Sequence, residues 1–115
     1  MEEIYKQIYD SNYKISNYGN IINIKKNKIL KQYISKTKYY CIKLTYNGKI
    51  HTIQVHRLVY SIFNNVELDY YDKIFHKNKN TKDNHIDNLY IKKYNKKTNL
   101  NSEIIFKKNI FLDIN

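Results

Sequence analysis

The chain has 115 residues and a formal charge of +11, a single domain by length and one drawn to anions. Its 42% hydrophobic content and thirteen tyrosines argue against wholesale disorder. A single cysteine, Cys41, excludes an internal disulfide or a cysteine-rich zinc cluster. No apolar stretch reaches the ~18 residues of a membrane span, and MEEIYKQIYD has no signal-peptide profile, so an intracellular soluble protein is the expectation.

In chain order, IYKQIY, SNYKIS and NIINI read as short strands broken by the NYG turn. KKNK is turn-like, and ILKQYI resumes the apolar pattern. YYCIKLTY and KIHTIQV flank Asn47-Gly48, and two alternating runs around Asn-Gly predict a type I′ hairpin. Cys41, inside the first run, is expected to be a small core residue. The period then changes: Val55, Leu58, Val59, Ile62 and Phe63 form the apolar stripe of a helix over 56–64, with Asn64-Asn65 as its end. Residues 70–75 and Leu89-Tyr90-Ile91 are expected as short strands around a polar loop. KKYNKKTNLN is compatible with a further helix, and IIFKKNIFLDI is an apolar extension over 102–115. The fold class is α+β, in one domain without linker or repeat.

The charge is uneven. Residues 25–60 hold eight lysines and Arg57 against no acid. Lys, Asn, Ile and Tyr have AT-rich codons, so part of the lysine excess is compositional, yet codon bias does not strip acids from one segment alone. A concentrated basic surface attracts a phosphate backbone and releases its counterions. The nucleic-acid contacts predicted on this basis are Lys25, Lys26, Lys28, Lys31, Lys36, Lys38, Lys43, Lys49, His56 and Arg57, with Lys77, Lys79 and Lys97 further on.

Four histidines bear on chemistry. His51 reads as a surface or cross-strand residue, His56 as a structural or phosphate contact, and His85 as part of a turn. His76 closes a predicted strand and opens a loop rich in Asn and Asp, which the residues alone allow as an Asn-rich turn with an incidental histidine or as the setting of a general base held by amide oxygens.

Three blocks carry a family resemblance. Residues 13–21, YKISNYGNI, match the Y-x-V-S-N-x-G-x-V pattern of the NUMOD-type segment in HNH homing endonucleases, with residues 4–32 as its extent and Tyr5 where the family usually has Trp. VHRLVYSIF resembles the family's V-H-R-L-V-A-x-x-F helix. HKNKNTKDNHIDNL resembles its H-x-x-x-N-x-x-D-N-x-x-x-N-L loop. The blocks are collinear and span roughly residues 4–95.

The resemblance implies a ββα-metal finger over 70–101 and DNA nicking or cleavage with one divalent cation, Mg²⁺ or Mn²⁺. By position His76 matches the general base, and Asn88 the asparagine that orients it or braces the loop. The cation ligands depart from the pattern. Phe75 stands where the family commonly has an acid, and Lys97 where it has Asn or His; Asn95 and Asn99, two residues to either side, are the remaining candidate metal positions. Asp72, Asp83 and Asp87 are the nearby acids. The expectation is a double-stranded-DNA-binding protein with weak or lost nicking. The alternatives are an active metal-dependent endonuclease and a small basic RNA- or ribosome-associated protein.

Overall fold

Short strands need their turns satisfied internally, and the N-terminal segment supplies this with serine and asparagine side chains. Ser11 Oγ donates to Ile8 O and accepts from Tyr13 N. Ser16 Oγ accepts from Tyr18 N and Asn20 N, each at 3.1 Å. These turns join β1 (Tyr5–Gln7), β2 (Tyr13–Ser16) and β3 (Ile21–Asn23), which pair antiparallel with β4 (Lys28–Ile29) in the order β1-β2-β3-β4. The coordinates are a computed structural model, and they describe residues 2–92.

The run ILKQYI does not form one strand. Ile29 ends β4, and Tyr33–Ile34 (β5) pairs instead with β6 (Tyr40–Tyr46), in a second sheet completed by β7 (Lys49–Gln54). Leu30, Lys31 and Gln32 cross between sheets, with Gln32 Nε2 donating to Gly19 O at 2.6 Å. The β6–β7 hairpin closes on Asn47 and Gly48, with φ of 52° and 76° and Tyr46 opposite Lys49. Positive φ at both turn residues fits the right-handed strand twist.

On this hairpin Cys41, Ile42, Leu44, His51 and Ile53 are buried. His51 therefore corrects the surface expectation: it faces Leu44 across the ladder, on the buried side with Ile53. Alternation fixed its direction once Ile53 was committed to the core. Burial also raises the Cys41 thiol above its ordinary pKa.

The chain passes directly from β7 into α1 (Val55–Asn64), which buries Val55, His56, Leu58, Val59 and Ser61. Asn65, in the left-handed region at φ 51°, ends the helix, its N–H reaching the Ile62 and Ser61 carbonyls. Leu58, Val59 and Val55 join Ile8, Ile15, Ile21, Ile42, Leu44, Leu68, Ile74 and Leu89 in one core that draws on all three sheets. The third sheet is β8 (Lys73–His76) against β9 (Leu89–Lys92), with a short 3-10 turn, Ile86–Asn88, leading into β9. Tyr70 and Tyr71, expected in a strand, lie in the preceding turn. The helix and apolar extension expected beyond residue 92 lie outside the described residues.

Asn17 fastens the N-terminal sheet to the rest. It is buried; its Oδ1 accepts from Ile4 N, its Nδ2 donates to Glu2 O, and its backbone O accepts from Ile86 N at 2.8 Å. Asn17→Ala removes the partner of the Ile4 N–H and the Glu2 carbonyl, both part-buried bonds, and is expected to cost about 1 kcal/mol, read as a lower urea midpoint with unchanged slope.

Candidate histidine site and basic surface

β8 delivers His76 to the interior because strand alternation places it on the face of Ile74, and both are buried. Its Nε2 lies 2.7 Å from Asn84 Oδ1. An amide oxygen only accepts, so Nε2 is the donor in this contact. Asn84 is itself buried. Sequence reasoning missed it and assigned the supporting role to Asn88; the signal present in the sequence was the Asp83-Asn84 pair, which fills the D-N positions of the family's loop pattern.

Asn88 does not touch His76. Its Oδ1 accepts from Asn78 N, and its Nδ2 donates to Asn78 Oδ1 and to Asp83 O at 2.8 Å. Asn78 Nδ2 in turn donates to Asp83 Oδ2, Asn80 N to Asn78 Oδ1, and Lys82 N to Asn80 Oδ1. Loop 77–88 is thus wired by its own asparagines, with Asn88 as the brace between its two ends.

Ring faces define the rest of the His76 environment. Tyr39 stacks on His56 with centroids 4.6 Å apart, and His56 and His76 lie 5.1 Å apart. Tyr39 also stacks with His76 at 5.9 Å. His56 is buried and its Nδ1 has no hydrogen-bond partner. Desolvation, then the neighbouring His76, then Arg57, lower its pKa to about 3. It is a neutral ring at pH 7, turned inward rather than toward a phosphate.

Arg57 is likewise turned inward. Its guanidinium donates to the backbone carbonyls of Asp72 and Asp69, the latter at 3.0 Å. These bonds turn the fork toward the loop before β8. Asp72 is buried and its Oδ2 accepts from Asp69 N. His85 Nδ1 accepts from Asp87 N, and its ring meets Tyr18 edge-on at 4.4 Å.

The lysines stay on the surface: Lys25, Lys26, Lys28, Lys31, Lys36, Lys38, Lys43, Lys49, Lys77 and Lys79 are all exposed. Thr81 Oγ1 donates to Lys38 O at 2.6 Å, tying the turn that carries Lys36 and Lys38 to the loop that carries Lys77 and Lys79. Two basic turns therefore adjoin at the His76 loop.

At position 75 the described residues offer a divalent cation no ligand, since a benzyl ring has no lone pair. Among the described residues no three His, Cys, Asp or Glu side chains are grouped to hold a metal. Phe75 instead stacks on its cross-strand partner Tyr90, centroids 5.5 Å apart. Lys97, Asn95 and Asn99 lie outside the described residues.

The depressed His56 pKa has a consequence for stability. Unfolded, the imidazole titrates near ~6.5; folded, it stays neutral down to about 3. The unfolded chain binds the extra proton in that window, so His56 lowers stability as pH falls from ~6.5 toward 3. His56→Phe is expected to remove about one proton from the pH dependence of stability in this window, checked by urea unfolding at a series of pH values.

The N-terminal architecture has a counterpart among known families: residues 3–45 match the NUMOD4 motif, covering β1 to β5 and most of β6. DNA endonuclease I-HmuI of Bacillus phage SP01 is 47% identical over 51 residues, 44% of this chain and 29% of that protein. An uncharacterized HNH endonuclease of Acanthamoeba polyphaga mimivirus is 40% identical over 111 residues, 90% of this chain and 32% of that protein. The chain thus spans about a third of the length of these curated relatives. A solved structure described as DNA binding and cleavage by the HNH homing endonuclease I-HmuI superposes with TM-score 0.63 at 36% identity, over 77% of this chain and 51% of that one. The motif, the relatives and the fold agree in likening the chain to HNH homing endonucleases.

Proposed function

We propose that the chain binds double-stranded DNA through its lysine-rich surface and that its phosphodiester nicking is weak or lost. The carrying observation is the Phe75–Tyr90 stack, at the position where the resemblance implies an acidic ligand. A benzyl ring offers no lone pair to a hard cation, and a nuclease deprived of one metal ligand forfeits several kcal/mol of charge stabilisation in the transition state, an effect on the order of that supplied by a bound cation. Support for binding comes from the relatives' names and from the exposed lysines on the two adjoining turns.

What this chain's own residues do is hold and orient. His76, whose Nε2 faces Asn84, has Nδ1 left as the nitrogen to take a proton from water. Asn84 fixes that arrangement. The exposed lysines supply phosphate contacts that give affinity without sequence preference. The intact His76–Asn84 pair favours a second reading, an active endonuclease whose remaining ligands come from elsewhere in the protein.

Plasmid nicking separates the two. The expected outcome is that the full chain nicks supercoiled DNA no better than His76→Ala in Mg²⁺, Mn²⁺ or EDTA, while it still shifts a linear duplex. Cation-dependent nicking that disappears in His76→Ala establishes the second reading and overturns the first. Binding that prefers structured RNA to duplex at fixed salt overturns the DNA assignment. For Lys36→Ala with Lys38→Ala, duplex affinity is expected to fall alike on unrelated sequences. The slope of log K against log salt is expected to flatten by about one for each phosphate no longer neutralised.

A further inference from the structure

The N-terminal segment meets the His76 loop at three points. Asn17 O accepts from Ile86 N at 2.8 Å. Tyr18 packs edge-on against the His85 ring. Gly19 lies directly against Asn84: a Cβ added to the glycine would stand 3.1 Å from Asn84 Cβ, 3.4 Å from Val55 Cγ1 and 3.7 Å from Val59 Cγ2. Gly19 also has φ +92°, in the left-handed region. Residues 17, 18 and 19 therefore face 86, 85 and 84 in turn, and Asn84 is the partner of His76 Nε2.

We infer that Asn17, Tyr18 and Gly19 form a clasp that positions His76 through Asn84, making the N-terminal segment part of the device that sets the imidazole tautomer. The clasp leaves Asn84 no room to withdraw: the glycine backs its Cβ, while the Asn17 bond and the Tyr18 ring fix the two residues after it. A hydrogen bond to one ring nitrogen decides which nitrogen carries the proton, so displacement of the Asn84 oxygen releases the tautomer. Whatever the N-terminal segment grips is then linked mechanically to the histidine. The inference rests on reading His76 as the site's base, but it concerns the free protein.

The test is imidazole ¹⁵N NMR on the full chain without DNA, comparing wild type with Gly19→Ala, Tyr18→Ala and Asn84→Ala. In wild type the two His76 nitrogens are expected to be well separated above the imidazole pKa, the signature of one tautomer protonated at Nε2. In Asn84→Ala they are expected to converge, as the two tautomers exchange. Convergence in Gly19→Ala, with the His51 signals unmoved as a check on the fold, supports the clasp. Should Gly19→Ala fail to fold, Tyr18→Ala carries the test, since it removes an exposed ring without introducing backbone strain. A wild-type tautomer retained in folded Gly19→Ala and Tyr18→Ala, even with lowered melting temperature, overturns the inference. Failure of the DNA-binding reading would appear in the duplex shift assay and leave these signals unchanged.

Discussion

Two imidazoles with centroids 5.1 Å apart in a protein interior impose a severe constraint, because a proton on either one is repelled by the next. The structure meets it by keeping His56 neutral: the ring is buried between Tyr39 and His76, beside the Arg57 cation. His76 is then free to take its proton geometry from Asn84 alone. Arg57 donates to the Asp69 and Asp72 carbonyls, so the helix that presents His56 also ties down the approach to β8. The first turn of α1, the loop before β8 and the end of β8 thus answer to one electrostatic demand.

The family relationship has a physical shape in this chain. The N-terminal strands form a platform pressed against the histidine loop through Asn17, Tyr18 and Gly19. The turn carrying Lys36 and Lys38 reaches the same loop through Thr81. Basic residues that lie far apart in sequence are therefore gathered around one buried ring. The exposed lysines and His76 are supported by the same framework, and the Phe75–Tyr90 pair is the rung of the β8–β9 ladder next to His76 and Leu89.

Local chemistry made much of this fold legible. Asn47-Gly48 marked the hairpin because few residues accept positive φ twice in succession, and the Val55, Leu58, Val59, Ile62, Phe63 spacing marked α1 because a core helix has that period. The sheet membership of ILKQYI was not legible because apolar content does not say which sheet a residue joins; its division between β4 and β5 depends on contacts made elsewhere. His51 stood as expected opposite a cross-strand partner, but its burial was not legible because it follows from sheet packing and not from its own polarity. At the site, His76 was visible as a strand-end histidine. Asn84 was not, since an asparagine that faces inward looks in sequence like the neighbouring asparagines that build turns.

The aromatic pair on the third ladder bears on how this chain can change. Phe75 and Tyr90 face each other across β8 and β9, with Tyr90 44% exposed. Such a pair contributes about 0.5–1.5 kcal/mol beyond its area. A carboxylate arriving at position 75 alone would forfeit that contribution and leave a tyrosine ring without its cover. A different side chain arriving at position 90 alone would expose the phenylalanine. The two positions are thus coupled, and an acid beside the histidine is reached one substitution at a time only through a less stable protein. Packing, as well as chemistry, holds the site in its present composition.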